Sequence, residues 1–420
     1  MQPPRDRSGT DFAAATAAAV REVFADSATV VEMRAAPCPE APLSPGILQP
    51  AVDAVDAGER VVVVVSDHTR KTGAAAILPM LLDGWRQRGV RPEDIAVLIA
   101  CGSHRAPTPD EVGHILGPPA MALVGNRIVI HDAFRSDCVP LGRTSRGTPV
   151  AVNRLLVETP AVVTIGGVVF HYFAGFTGGR KSIVPGAAAA ATIAANHSLT
   201  IAADAGTFHP AVQLGRLAGN PVAEDLEEAA AFVPVRGSVQ TVLDGTGRLA
   251  GVFTGSLAET HRQACNLARR LFACTLAAKA DVVVASAGAA RNWVQSHKAL
   301  VNASRAVRED GVIVLDAPCP EALGSQSLEQ WLRRRTPSAI IAGIAESADI
   351  NAQTALSTLL RGRQTVLVTQ MTADAAALTG MRPAATLPEA LRQAADRLPP
   401  QRRPHPSVLL MPEAWLTVPA

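Results

Sequence analysis

The sequence predicts an α/β fold with two α/β domains, mostly parallel sheets and an active-site cleft between the domains. Short β-branched runs alternate with helical segments, which is the order that produces buried parallel strands. Hydrophobic residues make up 48% of the chain and aromatic residues only 4%, so that alanine and valine form most of the core. A length of 420 residues favours more than one domain.

The first block of elements begins at residue 60. Residues 60–66 contain five consecutive valines and predict a buried strand, and residues 73–88 predict a helix that ends near Gly89. After the next predicted strand, at Ile95–Ala100, a cap residue, a proline and two acids follow each other at residues 108–111, as is typical of a helix N-terminus. Further strands are predicted at 127–131 and 161–166.

A second block begins near residue 276, after a helix-like segment at 257–278 that connects the two blocks. We therefore predict an N-terminal cofactor-binding domain over 1–275 and a C-terminal domain over 276–420 that contributes substrate contacts. Residues 1–45 and 398–406 are polar or proline-rich and are expected to run over the surface. The elements predicted in the second block are strands at 281–285, 311–315, 364–368 and 407–411 and helices at 296–308 and 326–335.

The composition argues against several classes of protein. A formal net charge of +2 is too balanced for nucleic acid or an anionic membrane to be the main partner. No apolar run has the length of a membrane span, and the N-terminus lacks the apolar stretch of a signal peptide, so a cytoplasmic protein is expected. The six cysteines form no Cys-x-x-Cys pair and predict neither a zinc ribbon nor a thioredoxin motif.

Chemistry-bearing residues follow two predicted strands, at the edge where ligands bind in parallel α/β sheets. In the loop 67–70, Arg70 is suited to a phosphate or carboxylate, with Asp67 orienting it or accepting from a hydroxyl; the alternative is a helix cap with a solvated arginine. His104 is placed as a general base; the alternative is a histidine satisfied by a backbone carbonyl.

The segment 171–197 combines glycines, an Arg-Lys pair and two histidines. Its glycines allow close approach of a ligand, and Lys181 is suited to phosphate or to a covalent bond. His171 is a candidate for proton transfer, and His197 is a candidate metal ligand that would need further donors from a cofactor. The alternative is a glycine-rich surface turn followed by a buried, alanine-rich helix.

Six motifs occur in an order and spacing that cover most of the chain. They are Ser66-Asp67-His68-Thr69-Arg70, Gly102-Ser103-His104-Arg105, His171-Tyr172-Phe173-Ala174-Gly175, Gly178-Gly179-Arg180-Lys181, Asn196-His197 and Gln295-Ser296-x-Lys298. The ordered set resembles the nickel-dependent lactate racemase family.

This resemblance implies a cofactor, the nickel-pincer nucleotide, which is a pyridinium-3,5-bisthiocarboxylic acid mononucleotide that carries nickel. It implies that Lys181 tethers the cofactor and that His197 is the one protein ligand of the nickel. It also implies that cofactor-synthesis proteins are partners. The residues expected around the nucleotide and its phosphate are Asp67, Thr69, Gly178, Gly179 and Arg180.

The implied function is a racemase or epimerase of a small 2-hydroxy acid, working by hydride transfer through a 2-keto acid intermediate. The resemblance gives the catalytic proton transfers to His104 and His171. It gives Arg70 and Lys298 the tasks of positioning the substrate carboxylate and polarising the developing carbonyl.

The substrate side departs from the family pattern. Some members have a tyrosine immediately before the Gln-Ser-x-Lys motif, whereas this chain has Trp293-Val294, which would place an indole beside the substrate. A larger or more apolar 2-hydroxy acid, or a second carboxylate bound by Arg291, are both open. A non-catalytic binder of the pincer nucleotide, or of another phosphorylated ligand, is the alternative function. A zinc hydrolase is disfavoured because no His-x-x-x-His pair is present.

Overall fold

The computed structural model describes residues 9–24, 27–202, 206–344, 347 and 349–420. The α-helices of the described residues are α1 (Gly9–Phe24), α2 (Pro45–Asp53), α3 (Ala74–Gln87), α4 (Pro109–Leu116), α5 (Pro118–Val124), α6 (Arg154–Glu158), α7 (Ala190–Ser198), α8 (Pro221–Ala230), α9 (Leu257–Phe272), α10 (Trp293–Ala306), α11 (Gln326–Leu332), α12 (Pro337–Ile344), α13 (Asn351–Gly362), α14 (Ala373–Leu378) and α15 (Leu387–Arg397). The strands are β1 (Thr29–Glu32), β2 (Val61–Ser66), β3 (Ile95–Ala100), β4 (Ile128–Ile130), β5 (Cys138–Arg143), β6 (Pro149–Asn153), β7 (Ala161–Gly167), β8 (Phe170–His171), β9 (Gly175–Phe176), β10 (Val235–Leu243), β11 (Leu249–Gly255), β12 (Ala273–Cys274), β13 (Ala280–Ser286), β14 (Val307–Asp316), β15 (Thr365–Val368), β16 (Arg382–Ala384), β17 (Ser407–Met411) and β18 (Val418–Pro419).

The chain folds into two compact units. The N-terminal unit is built mainly from the described residues between 37 and 270, and the chain leaves it within α9. The C-terminal unit combines the described residues of 9–36, 271–343 and 350–420. Both units alternate strands with helices, which confirms the predicted α/β class with mostly parallel sheets.

The N-terminal unit contains a sheet of the order β11-β10-β7-β2-β3-β4, in which the β10–β11 pair is antiparallel and the other neighbours are parallel. The five valines of β2 are at most 1% exposed because parallel neighbours flank the strand and apolar side chains cover it. Helices α2 and α3 contribute Leu48, Leu81 and Trp85 to this core. The loops after β2, β3 and β7 therefore leave the sheet at one edge.

The C-terminal unit contains a parallel sheet of the order β1-β17-β13-β14-β15-β16. Strands β13, β14 and β17 bury alternate side chains against α1 and α15, including Val284, Val314 and Leu410. The predicted strands of the second block lie within a few residues of the observed ones, because each is a short β-branched run that ends at a polar or small residue.

Residues 1–8, 25 and 26 of the segment 1–45 lie outside the described residues, and the described part of 9–36 corrects the prediction that this segment runs over the surface. Helix α1 buries Phe12, Val20 and Phe24 in the core of the C-terminal unit. Strand β1 pairs in parallel with β17, with Thr29 opposite Ser407. The predicted domain range 1–275 differs from the observed units in this respect, because these contacts join the described residues of 9–36 to the C-terminal sheet rather than to the sheet nearest in sequence.

Two further predictions change in detail. The helix-like segment 257–278 ends at Phe272, where the short strand β12 begins and pairs with β18. The alanine-rich helix considered for the segment 171–197 is confined to α7, which begins at Ala190, and a 3₁₀-helix occupies Gly179–Ser182. Among the described helices, none combines the length and the apolarity that a membrane crossing requires.

Candidate active site

Three loops bring the predicted residues together at one edge of the N-terminal sheet. Strand β2 has β3 on one side and β7 on the other, so the loops that follow these strands are neighbours. The first loop carries Asp67 and Arg70, the second carries His104, and the third carries His171 and Lys181. His197 joins them from the last turn of α7. Lys298 lies on α10 in the C-terminal unit, where its residue is exposed.

Asp67 and His104 form a hydrogen-bonded pair. Asp67 Oδ2 lies 2.7 Å from His104 Nδ1, and Asp67 Oδ1 accepts from the hydroxyl of Thr69 at 2.6 Å. Burial alone would raise the Asp67 pKa, but hydrogen bonds from His104 and Thr69, with the charges of His104 and Arg70, outweigh burial and hold this pKa below its ordinary value. Because a carboxylate only accepts, His104 Nδ1 is the donor and its Nε2 is the nitrogen presented for proton transfer.

His171 and Lys181 also contact each other directly. Lys181 Nζ lies 3.2 Å from His171 Nε2 and 5.2 Å from the centre of the Phe173 ring. His171 Nδ1 accepts from the backbone N–H of Ala174 at 3.3 Å, so the proton of the uncharged ring sits on Nε2 and points at the amine. Burial, followed by the charges of Arg70 and Arg180, holds the Lys181 pKa well below its ordinary value. The lowered pKa favours the uncharged, nucleophilic form of this amine.

His197 is the most deeply buried of the candidate residues. It is 1% exposed, and its ring meets the Phe173 ring edge-on at a centroid distance of 5.0 Å. Burial first, and then the charges of Lys181 and His104, lower the pKa of His197 to about 3. An imidazole that stays uncharged at neutral pH keeps a ring lone pair that can ligate a metal ion.

The Gly178-Gly179-Arg180 segment is packed against the protein interior. Gly179 has a φ of +52°, and a Cβ at this position would lie 2.5 Å from Cγ of His261. The Gly179 N–H donates to Oε1 of the buried Gln240 at 2.8 Å. The two glycines therefore let the loop pack closely onto these side chains. No sequence motif marks Gln240 or His261, which come from β10 and α9 and reach the loop only through the fold.

Arg180 corrects the expectation of a phosphate contact. Its side chain is 1% exposed and points away from the loop surface: one terminal nitrogen donates to Ala174 O at 2.9 Å, and the other lies 3.2 Å from His261 Nδ1. Its Nε lies 3.6 Å from a carboxylate oxygen of Glu227 and has no hydrogen-bond partner. Through these contacts Arg180 fixes the segment that carries Lys181 to the protein interior.

The substrate-side segment around α10 also differs from expectation. Trp293 is fully buried within the C-terminal unit, and its Nε1 donates to the Thr358 hydroxyl at 3.0 Å, so the indole does not face a substrate. Val294, by contrast, is 37% exposed. Arg291 already pairs with Glu321 at 2.6 Å, which leaves this guanidinium engaged with a carboxylate of the chain itself.

Histidines of this region do not form a conventional metal cluster. Within the described ranges, no group of three or more His, Cys, Asp or Glu side chains is arranged to hold a metal ion. His197 lies close enough to Lys181 for the lysine charge to be the second cause, after burial, of the lowered His197 pKa.

Comparisons with known proteins match segments of both units. Residues 20–207 match the family model of the lactate racemase N-terminal domain, and residues 275–412 match that of the lactate racemase C-terminal domain. Lactate racemase from Thermoanaerobacterium thermosaccharolyticum is 31% identical over 286 residues, which are 67% of this chain and 65% of that protein. The protein of the same name from Lactiplantibacillus plantarum is 31% identical over 274 residues, 63% of this chain and 62% of that protein.

The aligned region thus spans just under two thirds of each relative's length. The structural match covers more of the chain than the sequence alignments do. The structure of the lactate racemase apoprotein from Thermoanaerobacterium thermosaccharolyticum superposes with a TM-score of 0.80 at 23% identity, and the match covers 95% of this chain and 96% of that one.

Proposed function

Because the chain belongs to the lactate racemase family, we propose that it is an isomerase that racemises or epimerises a small 2-hydroxy acid with a nickel-pincer nucleotide. The observation that carries the proposal is the contact of Lys181 Nζ with His171 Nε2 at 3.2 Å, next to the uncharged His197. A buried lysine whose uncharged form is favoured, next to an uncharged histidine, suits a covalent tether beside a metal ligand.

The residues present fit such a group. Lys181 would carry the tether, and its lowered pKa favours the reactive, uncharged amine. His197 would supply one nitrogen ligand, which suits a cofactor that brings its own remaining donors. When bound, the pincer nucleotide would supply the hydride acceptor for the α-hydrogen of the substrate.

The two remaining histidines would handle protons on opposite faces of the substrate. His104 presents Nε2 because Asp67 accepts from its Nδ1 at 2.7 Å, and it would take or return the hydroxyl proton from one face. His171 would act from the other face first as the proton donor, since the Ala174 N–H bond to Nδ1 leaves the proton of the uncharged ring on Nε2. A 2-keto acid that turns between these groups would be rebuilt with either configuration.

Anchoring of the substrate carboxylate is proposed for Arg70 and Lys298. The charge of Arg70 is close enough to depress the Lys181 pKa, so it lies within the same polar region. Lys298 belongs to the C-terminal unit, and its contact with substrate remains a prediction. Because the Trp293 indole is buried, the exposed Val294 is the side chain that would shape selectivity there, and it favours an apolar substituent.

The phosphate of the nucleotide would be held by the loop 67–70 together with backbone groups around Gly178, since the Arg180 side chain is engaged in the interior. Proteins that synthesise the cofactor would be required partners. The retained Asp67–His104 pair favours catalysis over a non-catalytic cofactor binder, because simple binding does not need an oriented proton-transfer group.

The cofactor half of the proposal is tested by intact mass and nickel content. Protein co-expressed with a nickel-pincer synthesis pathway should gain mass and carry nickel, whereas Lys181→Ala should lose the added mass and His197→Ala should lose most of the nickel. In the apoprotein, the pH profile of acylation at Lys181 should have its midpoint below the ordinary value for lysine. An unmodified wild-type chain without nickel would refute this half.

The catalytic half is tested with a panel of enantiopure 2-hydroxy acids that differ in size and charge. The loaded protein should racemise at least one of them while keeping the α-deuterium of a labelled substrate, because the hydrogen would return from the cofactor rather than from water. A loaded protein that leaves every panel member unchanged would support the non-catalytic binder instead.

A further inference from the structure

A buried carboxylate lies behind His197. Asp225, on α8, is fully buried and accepts three hydrogen bonds, from the hydroxyl of Thr144 at 2.5 Å, the hydroxyl of Thr148 at 2.8 Å and Asn196 Nδ2 at 2.8 Å. A buried carboxylate without such donors is strongly unfavourable. Two threonines from the turn between β5 and β6 therefore hold Asp225 in place, and its third bond is directed at the residue before His197.

The bond from Asn196 to Asp225 determines which way the Asn196 amide faces. Its Nδ2 lies 2.8 Å from Asp225 Oδ2 and 3.3 Å from Val222 O, and both of these oxygens can only accept. The amide nitrogen must therefore point to them, which leaves Oδ1 facing His197 Nδ1 at 3.2 Å. Because Oδ1 in turn only accepts, His197 Nδ1 must carry the proton.

We propose that Asp225 is a positioning residue that acts through Asn196 to keep the His197 ring protonated at Nδ1, so that Nε2 is the nitrogen that ligates the metal. An uncharged imidazole has one proton, and placing it on Nδ1 leaves the lone pair on Nε2. Partners that fix the tautomer and the ring orientation of a ligating histidine strengthen metal binding. The part of the inference that concerns metal binding rests on the proposed function. The tautomer of His197 does not depend on it, because it is set by residues of this chain.

The isosteric variant Asp225→Asn separates this task from a purely structural one. The new amide has a donor, so the Asn196 amide can turn its Oδ1 toward residue 225 and its Nδ2 toward His197, giving up the longer, 3.3 Å bond to Val222 O. Nδ1 would then accept, and the ring proton would move to Nε2, where it blocks the metal-binding lone pair. Thr144→Val is the matched control, since it removes one hydrogen bond to Asp225 but leaves the Asp225–Asn196 bond intact.

The tautomer is measured directly on the apoprotein by long-range ¹H–¹⁵N correlation with ¹⁵N-labelled histidine, and His197→Gln identifies the signals. Wild type and Thr144→Val should show a protonated Nδ1 at His197, and Asp225→Asn should show a protonated Nε2. A wild-type protein protonated at Nε2 overturns the inference without any variant. A folded Asp225→Asn protein that keeps the Nδ1 proton overturns it as well.

Nickel binding is the second readout. In the loaded protein, Asp225→Asn should lose roughly 10–100-fold in nickel retention against a chelator while keeping the mass added at Lys181, and Thr144→Val should retain nickel like the wild type. Equal retention in Asp225→Asn and wild type contradicts the inference. If wild type gains neither mass nor nickel, the proposed function fails, while the tautomer measurement still decides the role of Asp225.

Discussion

At the scale of single residues, chemistry here depends on which atom of a side chain carries a proton. Asp67 directs His104 through Nδ1, and the Ala174 N–H directs His171 so that its Nε2 faces Lys181. Burial and neighbouring positive charges lower the pKa of both Lys181 and His197 and so favour the uncharged forms of the two side chains. The site thus brings a lysine whose nucleophilic form is favoured next to an uncharged imidazole.

The Asp67–His104 pair gives a prediction for a single substitution. Asp67→Asn should lower kcat about 100-fold or more, because the amide can donate to Nδ1 and so favours the His104 tautomer that has its proton on Nε2. Steady-state kinetics over a range of pH measures the effect. An Asp67→Asn protein with the kcat and the pH profile of the wild type would mean that Asp67 does not act through His104.

At the scale of elements, the conformation of the Gly178–Lys181 segment depends on side chains from other elements that pack against it. Gln240 from β10 and His261 from α9 support the loop, and Arg180 ties it back to Ala174. His261 Nε2 donates to Thr177 O at 3.0 Å, which leaves Nδ1 to accept from Arg180. Several hydrogen bonds to buried groups therefore hold the 3₁₀ turn that carries Lys181.

A methyl group at Gly179 tests this support. Gly179→Ala should lower the unfolding free energy by about 1–2 kcal/mol for its left-handed backbone and by roughly 1–3 kcal/mol more for the contact with His261. It should also reduce modification of Lys181. Gly58→Ala is the matched control, because Gly58 has a φ of +76° but no atom within 4 Å of its added Cβ. Urea denaturation of the two variants separates backbone strain from overpacking, and equal losses would argue against the contact.

At the scale of the whole molecule, segments that are neighbours along the sequence do not always belong to the same unit. Helix α1 and strand β1 complete the C-terminal unit, although more than 200 residues of the N-terminal unit follow them before the rest of that sheet is reached. Helix α1 thus belongs to a core whose other residues come from the C-terminal part of the sequence. It stabilises the C-terminal unit by burying its apolar face in that core.

Removal of one side chain measures that contribution. Phe12→Ala should destabilise the C-terminal unit by about 3–5 kcal/mol, since the ring is 3% exposed and packs in the core. Hydrogen exchange followed by mass spectrometry should show lost protection in β17 and none in β2. Phe134→Ala, at a ring that is 67% exposed, should change stability by less than about 0.5 kcal/mol. Lost protection confined to the N-terminal sheet would contradict the assignment of α1.

Acid sensitivity is a property of both units, because each contains buried histidines. Burial, followed by nearby positive charge, lowers the pKa of His297 to about 3 in the C-terminal unit, and His197 and His261 are lowered to about 3 in the N-terminal unit. Between the ordinary value of 6.5 and about 3, the unfolded chain binds protons that the folded chain does not. Unfolding free energy should therefore fall as the pH falls through this window.

Each such histidine contributes a slope of up to about 1.4 kcal/mol per pH unit. His297→Gln should flatten the dependence between pH 6 and pH 4 relative to wild type, measured by urea denaturation at fixed ionic strength. A variant with an unchanged slope would show that His297 is protonated in the folded state.

Much of the candidate site could be predicted because it depends on strand order and local sequence. Valine runs mark β2 and β7, and polar residues directly after them must leave the sheet at its carboxyl edge. The direction of a side chain could not be predicted in this way. Arg180 lies in a glycine-rich loop that suits phosphate. Its guanidinium nevertheless points inward, because it contacts His261 and Glu227, which come from distant parts of the chain.

The α/β class, the loops that follow the strands and the residue types in those loops could be predicted, because hydrophobic period and residue type are local properties. The position of α1 in the C-terminal core, the burial of the Trp293 indole and the place of Asn196 and Asp225 behind His197 could not be predicted in this way. These outcomes depend on contacts between residues far apart in the chain, where packing and the satisfaction of buried polar groups select one arrangement.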